Sequence, residues 1–189
     1  MDSRTRKTCP RHIPLAGSRA EKIFTRQEDE ISCGPACLAT VAKLYAACDG
    51  ARPAMDYAAF RAAAAPRDDV GTPEKIMQAL CEEHLPCESA GPSTYHGGVA
   101  IADITQEGEG HYVVFLCGKD GEILYYDPYH HELVIDRLED VRWTSGFENS
   151  AQWSVNFKKF PDNSFDRWLG MAAGKNAPRP RSKPPGRQP

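Results

Sequence analysis

Gln27-Glu28-Asp29-Glu30-Ile31-Ser32-Cys33-Gly34-Pro35-Ala36-Cys37-Leu38 is a polar loop running into a helix, with a cysteine at the junction. Ser32 can cap the helix and Pro35 suits its first turn. Apolar residues then recur at Cys37, Leu38, Val41, Leu44, Tyr45 and Cys48, which predicts a helix over 33–47 with one inward stripe. Cys33 falls in the first turn. There, unpaired backbone N–H groups and the positive end of the helix dipole favour an anion by about 1 kcal/mol, which is where a reactive thiol belongs.

Farther along, 55–65 is alanine-rich, with Met55, Ala59, Phe60 and Ala63 as an inward face and Pro66 to stop it. A third helix is predicted to start at Thr72 as cap with Pro73 in the first position, burying Ile76, Met77 and Leu80. The period then shortens. Strands are expected at 98–104 and 112–117, and Lys119-Asp120-Gly121-Glu122 turns the chain into 123–126 as a hairpin. An edge strand at 131–135, a short helix at 136–141 and a last strand at 152–157 follow. That strand shows Trp153, Val155 and Phe157 on one face, and Phe165 and Trp168 pack a short terminal helix. Helices first and an antiparallel sheet after them predict an α+β fold with segregated layers.

The 189 residues suit one domain. Residues 1–22 read as a flexible basic arm, 23–170 as the domain, and 171–189 as a disordered tail rich in Pro, Arg and Lys. Without residues 1–26 and 171–189 the chain holds 11 basic against 24 acidic groups, a formal charge of −13. Such a body repels phosphate backbones, so nucleic acid is not expected as a partner, whereas the basic ends can meet a protein partner. Seven cysteines, an odd number without Cys-x-x-Cys units, favour a reduced setting. No export signal or membrane span is read, which gives a cytoplasmic expectation with signal-independent secretion or delivery left open.

Two later residues complete a constellation. His111, after Gly110, opens the most hydrophobic strand, and Asp127, before Pro128, ends the adjacent hairpin strand, so the carboxylate can hold the imidazole's tautomer. Gln27, six residues before Cys33, can bring its amide to a developing oxyanion from a loop. His130 and His131 read as solvated loop histidines, since nothing in their spacing converges on zinc. Tyr125, Tyr126 and Tyr129 are candidates to line the cleft beside Asp127. The acidic run 28–30 is either a solvated loop or a selector of basic peptides.

These motifs resemble the papain-like cysteine peptidases of the C39 type, which include leader-removing domains of bacteriocin exporters and stand-alone relatives. The matching residues are Gln27, Cys33-Gly34-Pro35-Ala36-Cys37-Leu38, Gly71-Thr72-Pro73, His111-Tyr112-Val113-Val114 and Asp127-Pro128, with Trp143-Thr144-Ser145-Gly146 similar to the closing region. The resemblance covers about 24–153 and implies a papain-like cysteine peptidase fold. It also implies Cys33 as nucleophile, His111 as base and acid, Asp127 as orienter, Gln27 as oxyanion donor, and Cys37 as a packing residue. The implied activity is hydrolysis of a peptide or protein amide with no metal or organic cofactor. Glutamine deamidation, acyl transfer and an inactive protein-binding module are the alternatives.

Overall fold

The computed structural model describes residues 9–15, 22–49, 53, 55–68, 71–91, 95, 97–106, 108–141, 154–158 and 164–172. The tail from 173 onward, most of the basic arm, the 143–146 motif and Trp153 lie outside the described residues.

Helix α1 is Cys33–Asp49, α2 is Tyr57–Ala64 and α3 is Glu74–His84. Rather than one stripe, α1 buries almost its whole first half, with Ala36, Cys37, Leu38, Ala39, Thr40 and Val41 all at 0% exposure. A helix covered on all sides shows little amphipathic contrast, and its alanines are what let neighbours approach closely. Helix α2 is capped by Asp56, whose side chain accepts from Ala59 N–H, so it starts two residues later than 55–65 predicts.

At α3 the predicted cap is displaced. Pro73 occupies the cap position, Thr72 stands outside the helix, and Met77, Leu80 and Cys81 form the buried face while Ile76 is 39% exposed. Met77, Leu80 and Cys81 stand at i, i+3 and i+4 on one face, and Ile76 lies about 100° round the helix from Met77, toward solvent.

Strands β1 (Arg11–Pro14), β2 (Cys87–Ser89), β3 (Ala100–Gln106), β4 (Glu109–Lys119), β5 (Glu122–Asp127), β6 (Glu132–Arg137) and β7 (Ser154–Phe157) form one antiparallel sheet in the order β1-β6-β5-β4-β3-β7-β2. The hairpin between β4 and β5 turns through Asp120 and Gly121 with φ of 54° and 82°, the paired left-handed conformation that a two-residue turn requires.

Three expectations give way to the structure. Arg11–Pro14, within the stretch expected to be a flexible arm, pairs with β6, so β6 is not an edge. The short helix at 136–141 is absent, because Asp136 and Arg137 continue β6 and the chain then makes a turn. Residues 171 and 172 complete helix α4 (Phe165–Ala172) instead of starting the tail. Strand β2 carries no alternation that marks it, and it pairs with β7 across an irregular register.

The main core lies between α1 to α3 and one face of the sheet, and includes Ile101, Val114, Leu116, Leu124, Tyr126 and Val155. Trp168 of α4 joins it through Phe24, whose ring sits 4.8 Å from Tyr126 and 6.4 Å from Trp168. The other sheet face buries Val113, Phe115, Ile123, Tyr125 and Val134. No described helix is long and apolar enough to cross a membrane.

Candidate functional site

Burial of α1 fixes where its first residue lies. Cys33 opens the helix, 7% exposed, and the Ser32 carbonyl accepts from Ala36 N–H to start the helical ladder. The Ser32 hydroxyl is held by the Tyr57 O–H at 2.8 Å, so this side chain braces α1 against α2. Gly34 has a steric reason. A Cβ there would meet Met77 Sδ at 2.8 Å and Thr72 Oγ1 at 3.3 Å, a spacing that brings the segment entering α3 beside the cysteine.

Pairing of β4 with β5 brings His111 and Asp127 together at one end of the hairpin, opposite its turn. His111 Nε2 and Asp127 Oδ1 are 3.0 Å apart, with His111 9% and Asp127 1% exposed. Burial pushes the Asp127 carboxyl up, but the hydrogen bond and charge of His111, then the bonds from His130 and Gln106, hold it well below the usual carboxylate range. An ionised carboxylate only accepts, so Nε2 carries a proton and Nδ1 is left for the Cys33 side. Burial drives the His111 imidazole down, yet the Asp127 hydrogen bond and the hydrogen bond and charge of Cys33 carry it up to about 9.

The carboxylate is anchored further. Oδ1 also accepts from Tyr129 N–H at 2.8 Å, while Oδ2 accepts from Gln106 Nε2 at 3.2 Å and from His130 Nδ1 at 2.9 Å. His130 is thus an exposed loop residue, as expected, that also bonds Asp127. The bond from Tyr129 N–H is the aspartate turn that an Asp-Pro-Tyr sequence invites, so the signal for its neighbour His130 is in the chain. Gln106 arrives from β3, and no local pattern announces it. His131 bonds the Tyr126 hydroxyl at 2.8 Å on the buried side.

Gln27 is tied to the same loop, its N–H donating to Pro128 carbonyl at 3.1 Å. One amide N–H goes to the Asp29 carbonyl at 2.7 Å, which fixes the amide's orientation, while Oε1 is buried without a partner. Two adjoining cavities, of about 670 and 310 Å³, share Glu30, Glu109 and Gly110. Cys33 lines the larger; Gln27, Gln106, His111, Tyr129 and His130 line the smaller. Of the three tyrosines, Tyr129 lines this cleft, 47% exposed, whereas Tyr126 belongs to the core.

Cys37 is fully buried and donates to the Tyr112 carbonyl at 3.3 Å; burial, then the charges of Cys33 and Asp127, keep it a thiol. All seven cysteines are unbridged. Among the described residues no group of three or more His, Cys, Asp or Glu side chains could hold a metal ion.

No family model and no curated protein matches the chain. Among solved structures it resembles the peptidase domain of Streptococcus ComA, a bi-functional ABC transporter of a quorum-sensing pathway. The likeness has 18% identity and a TM-score of 0.52, over 74% of this chain and 100% of that one. A double glycine motif protease from an AMS/PCAT transporter, solved with its leader peptide, superposes more loosely: TM-score 0.49, 19% identity, over 76% of this chain and 94% of that chain.

The fold is shared with the ComA domain. N-terminal helices pack on an open antiparallel sheet in an α+β arrangement, as the sequence predicts at that level.

Proposed function

We propose that this chain is a cysteine-dependent hydrolase of peptide or protein amide bonds. Cys33 is the nucleophile, His111 the base and acid, Asp127 the orienting carboxylate and Gln27 an oxyanion donor. The observation that supports this reading most is the buried His111–Asp127 pair, 3.0 Å between Nε2 and Oδ1, whose imidazole is held up to about 9 against burial by Asp127 and by Cys33, the residue that opens α1. A structural ion pair has no need of a thiol at a helix N-terminus on its other side.

In this reading the Cys33 thiolate attacks the substrate carbonyl carbon, and the carbonyl oxygen becomes an oxyanion that accepts from Cys33 N–H and a Gln27 amide N–H. His111 gives its Nδ1 proton to the departing amine, and the C–N bond breaks to leave a thioester on Cys33. Water then attacks the thioester as His111 takes its proton, releasing the carboxylic acid and restoring the thiolate–imidazolium pair. Asp127 stays ionised throughout and holds the ring's orientation.

Deamidation and acyl transfer use the same relay and differ only in the amide presented and in the acceptor. The likeness to a transporter's peptidase domain supports a peptide substrate and a role linked to secretion. A small neutral alkylator at pH 6 tests the nucleophile: Cys33 is expected to label much faster than the other six cysteines, by mass spectrometry, and Cys33→Ala to abolish the fast phase. A Cys33 that labels no faster than Cys48 or Cys117 sinks the assignment. Peptide-library cleavage with sites read by mass spectrometry then separates peptidase from deamidase.

A further inference from the structure

The larger cavity is one-sided in charge. Glu30, Asp68, Glu74, Asp103 and Glu109 line it beside Cys33, and among its described lining residues there is no Lys, Arg or His. Some carboxylates elsewhere are paired with a base: Asp29 with Arg61, Glu122 with Arg11, Glu132 with His12 and Glu139 with Arg137. Glu30, Asp68, Glu74 and Glu109 have no ion-pair partner among the described residues, and burial pushes Glu74 up with nothing opposing it.

Hydrogen bonding points independently to what the cavity receives. Thr72, 2% exposed on the cavity wall, has a hydroxyl without a partner beside Gly34, and Gln27, 7% exposed in the adjoining cavity, has an unpartnered Oε1. Both can accept a hydrogen bond, as can every carboxylate. An ammonium or guanidinium is a donor with no acceptor, which is the complement of such a wall. A metal ion is the poorer match, because among the described residues these carboxylates do not converge into a group that could hold one.

We propose that the groove beside Cys33 seats a lysine or arginine side chain of the substrate, so that the bond attacked lies in a basic peptide segment; this rests on Cys33 as nucleophile. The cation lies among Glu30, Glu74 and Glu109 with Thr72 accepting a hydrogen bond from the segment. Glu30 and Glu109 also line the adjoining cavity that His111 lines, so the charge that steers the substrate borders the reacting side chains, while the charge of Asp127 is already occupied by its own donors.

The test uses the full-length protein and two methanethiosulfonates of similar size, one carrying a trimethylammonium and one a sulfonate. Modification of Cys33 is followed by mass spectrometry, and each rate is divided by that of the same reagent with 2-mercaptoethanol. The normalised preference for the cation is expected to be at least about tenfold near 10 mM salt. It should collapse toward unity at 1 M, where the screening length shrinks from about 30 Å to about 3 Å.

Glu74→Gln and Glu109→Gln, singly and together, should lower the preference step by step. Glu122→Gln, at the far end of the β4–β5 hairpin, should leave it unchanged. Thermal melting checks that each variant is folded, and two separate glutamates keep the test open if one variant is not.

A preference within about twofold of unity, or one indifferent to both variants, overturns the proposal. The ratio is independent of the absolute rate, so a slow Cys33, which defeats the nucleophile reading, still leaves the charge preference measured. Binding of a lysine-containing hexapeptide to Cys33→Ala, against its glutamate counterpart, probes the same preference without chemistry: tighter binding of the lysine peptide supports it and equal affinities overturn it.

Discussion

Near Cys33 stand two kinds of carboxylate: Asp127, satisfied by four neighbouring residues, and several lining the groove that have no ion-pair partner among the described residues. Asp127 accepts hydrogen bonds from His111, Gln106, Tyr129 and His130, all from β-strand ends or the loop that follows β5. Glu30, Glu74 and Glu109 stand on loops and element ends facing open space. A buried charge is held only where its surroundings over-determine it, while an uncompensated one at a groove is free to act on what arrives. The first arrangement suits orienting a catalytic ring and the second suits choosing a substrate.

The largest losses are expected on the satisfied side. Asp127→Asn and His111→Ala should each lower kcat/KM by about 10³ to 10⁴-fold, because either change loses the imidazole's tautomer or the imidazole itself. Thermal melting should report that both variants remain folded. Retained turnover in either would mean that the pair is structural. Gln27→Ala comes next, at roughly 10² to 10³-fold in kcat, the effect of one oxyanion donor. Its Asp29 bond holds the loop before Cys33, so Gln27→Glu, which keeps the shape and alters the donor, is the companion variant; a loss confined to KM would argue against an oxyanion role.

Periodicity carries the fold where one face is buried, and fails where packing or pairing partners decide. The β4–β5 hairpin is readable because Asp120-Gly121 can only be a tight turn and the strands beside it are apolar. Strand β1 is not: Arg11-His12-Ile13-Pro14 is polar, and only the exposed edge of β6 makes it a strand. The helix expected at 136–141 gives way to β6 because Asp136 pairs across to Ile123.

The site follows the same rule. Cys33, His111 and Asp127 announce themselves by position on elements. Gln106 and the acidic groove come from parts of the chain far apart in sequence, and nothing local unites them. His130 lies between these cases, two residues beyond a proline whose local signal is only that of a turn.

The pH response also bears on the satisfied side. His111 titrates at about 9 in the folded chain, above the roughly 6.5 of an unfolded imidazole. A raised base contributes stability that is fully present below about pH 6.5 and is lost as pH climbs through about 9, of order 3 kcal/mol in all. Asp127 is lowered, so its share is present above about pH 4 and is lost as pH falls further. The two shifts belong to one pair and count once. The difference in melting temperature between wild type and Asp127→Asn should be largest between about pH 4 and 6.5 and should shrink toward pH 9 and beyond. Turnover should show its alkaline fall in the same range, as His111 loses the proton it gives to the leaving amine. A melting difference that stays constant from pH 6 to 10 would remove the ion pair from the account.

The smallest expected effect separates orienting the ring from orienting its partner. His130 touches Asp127 Oδ2 at 2.9 Å with its side chain half exposed, and Gln106 reaches the same oxygen at 3.2 Å. His130→Ala or Gln106→Ala removes one donor from a carboxylate that keeps several, so turnover should fall less than about tenfold. With fewer donors competing for it, Asp127 becomes the stronger acceptor for His111, and the alkaline limb should move upward by less than about one pH unit. A merely structural role would change melting and leave that limb fixed. The double variant decides between them: if its limb moves by the sum of the two single shifts, each donor acts on the same carboxylate oxygen through charge. If turnover collapses instead, the two residues jointly hold Asp127 in place and the orienting group is a network rather than one aspartate.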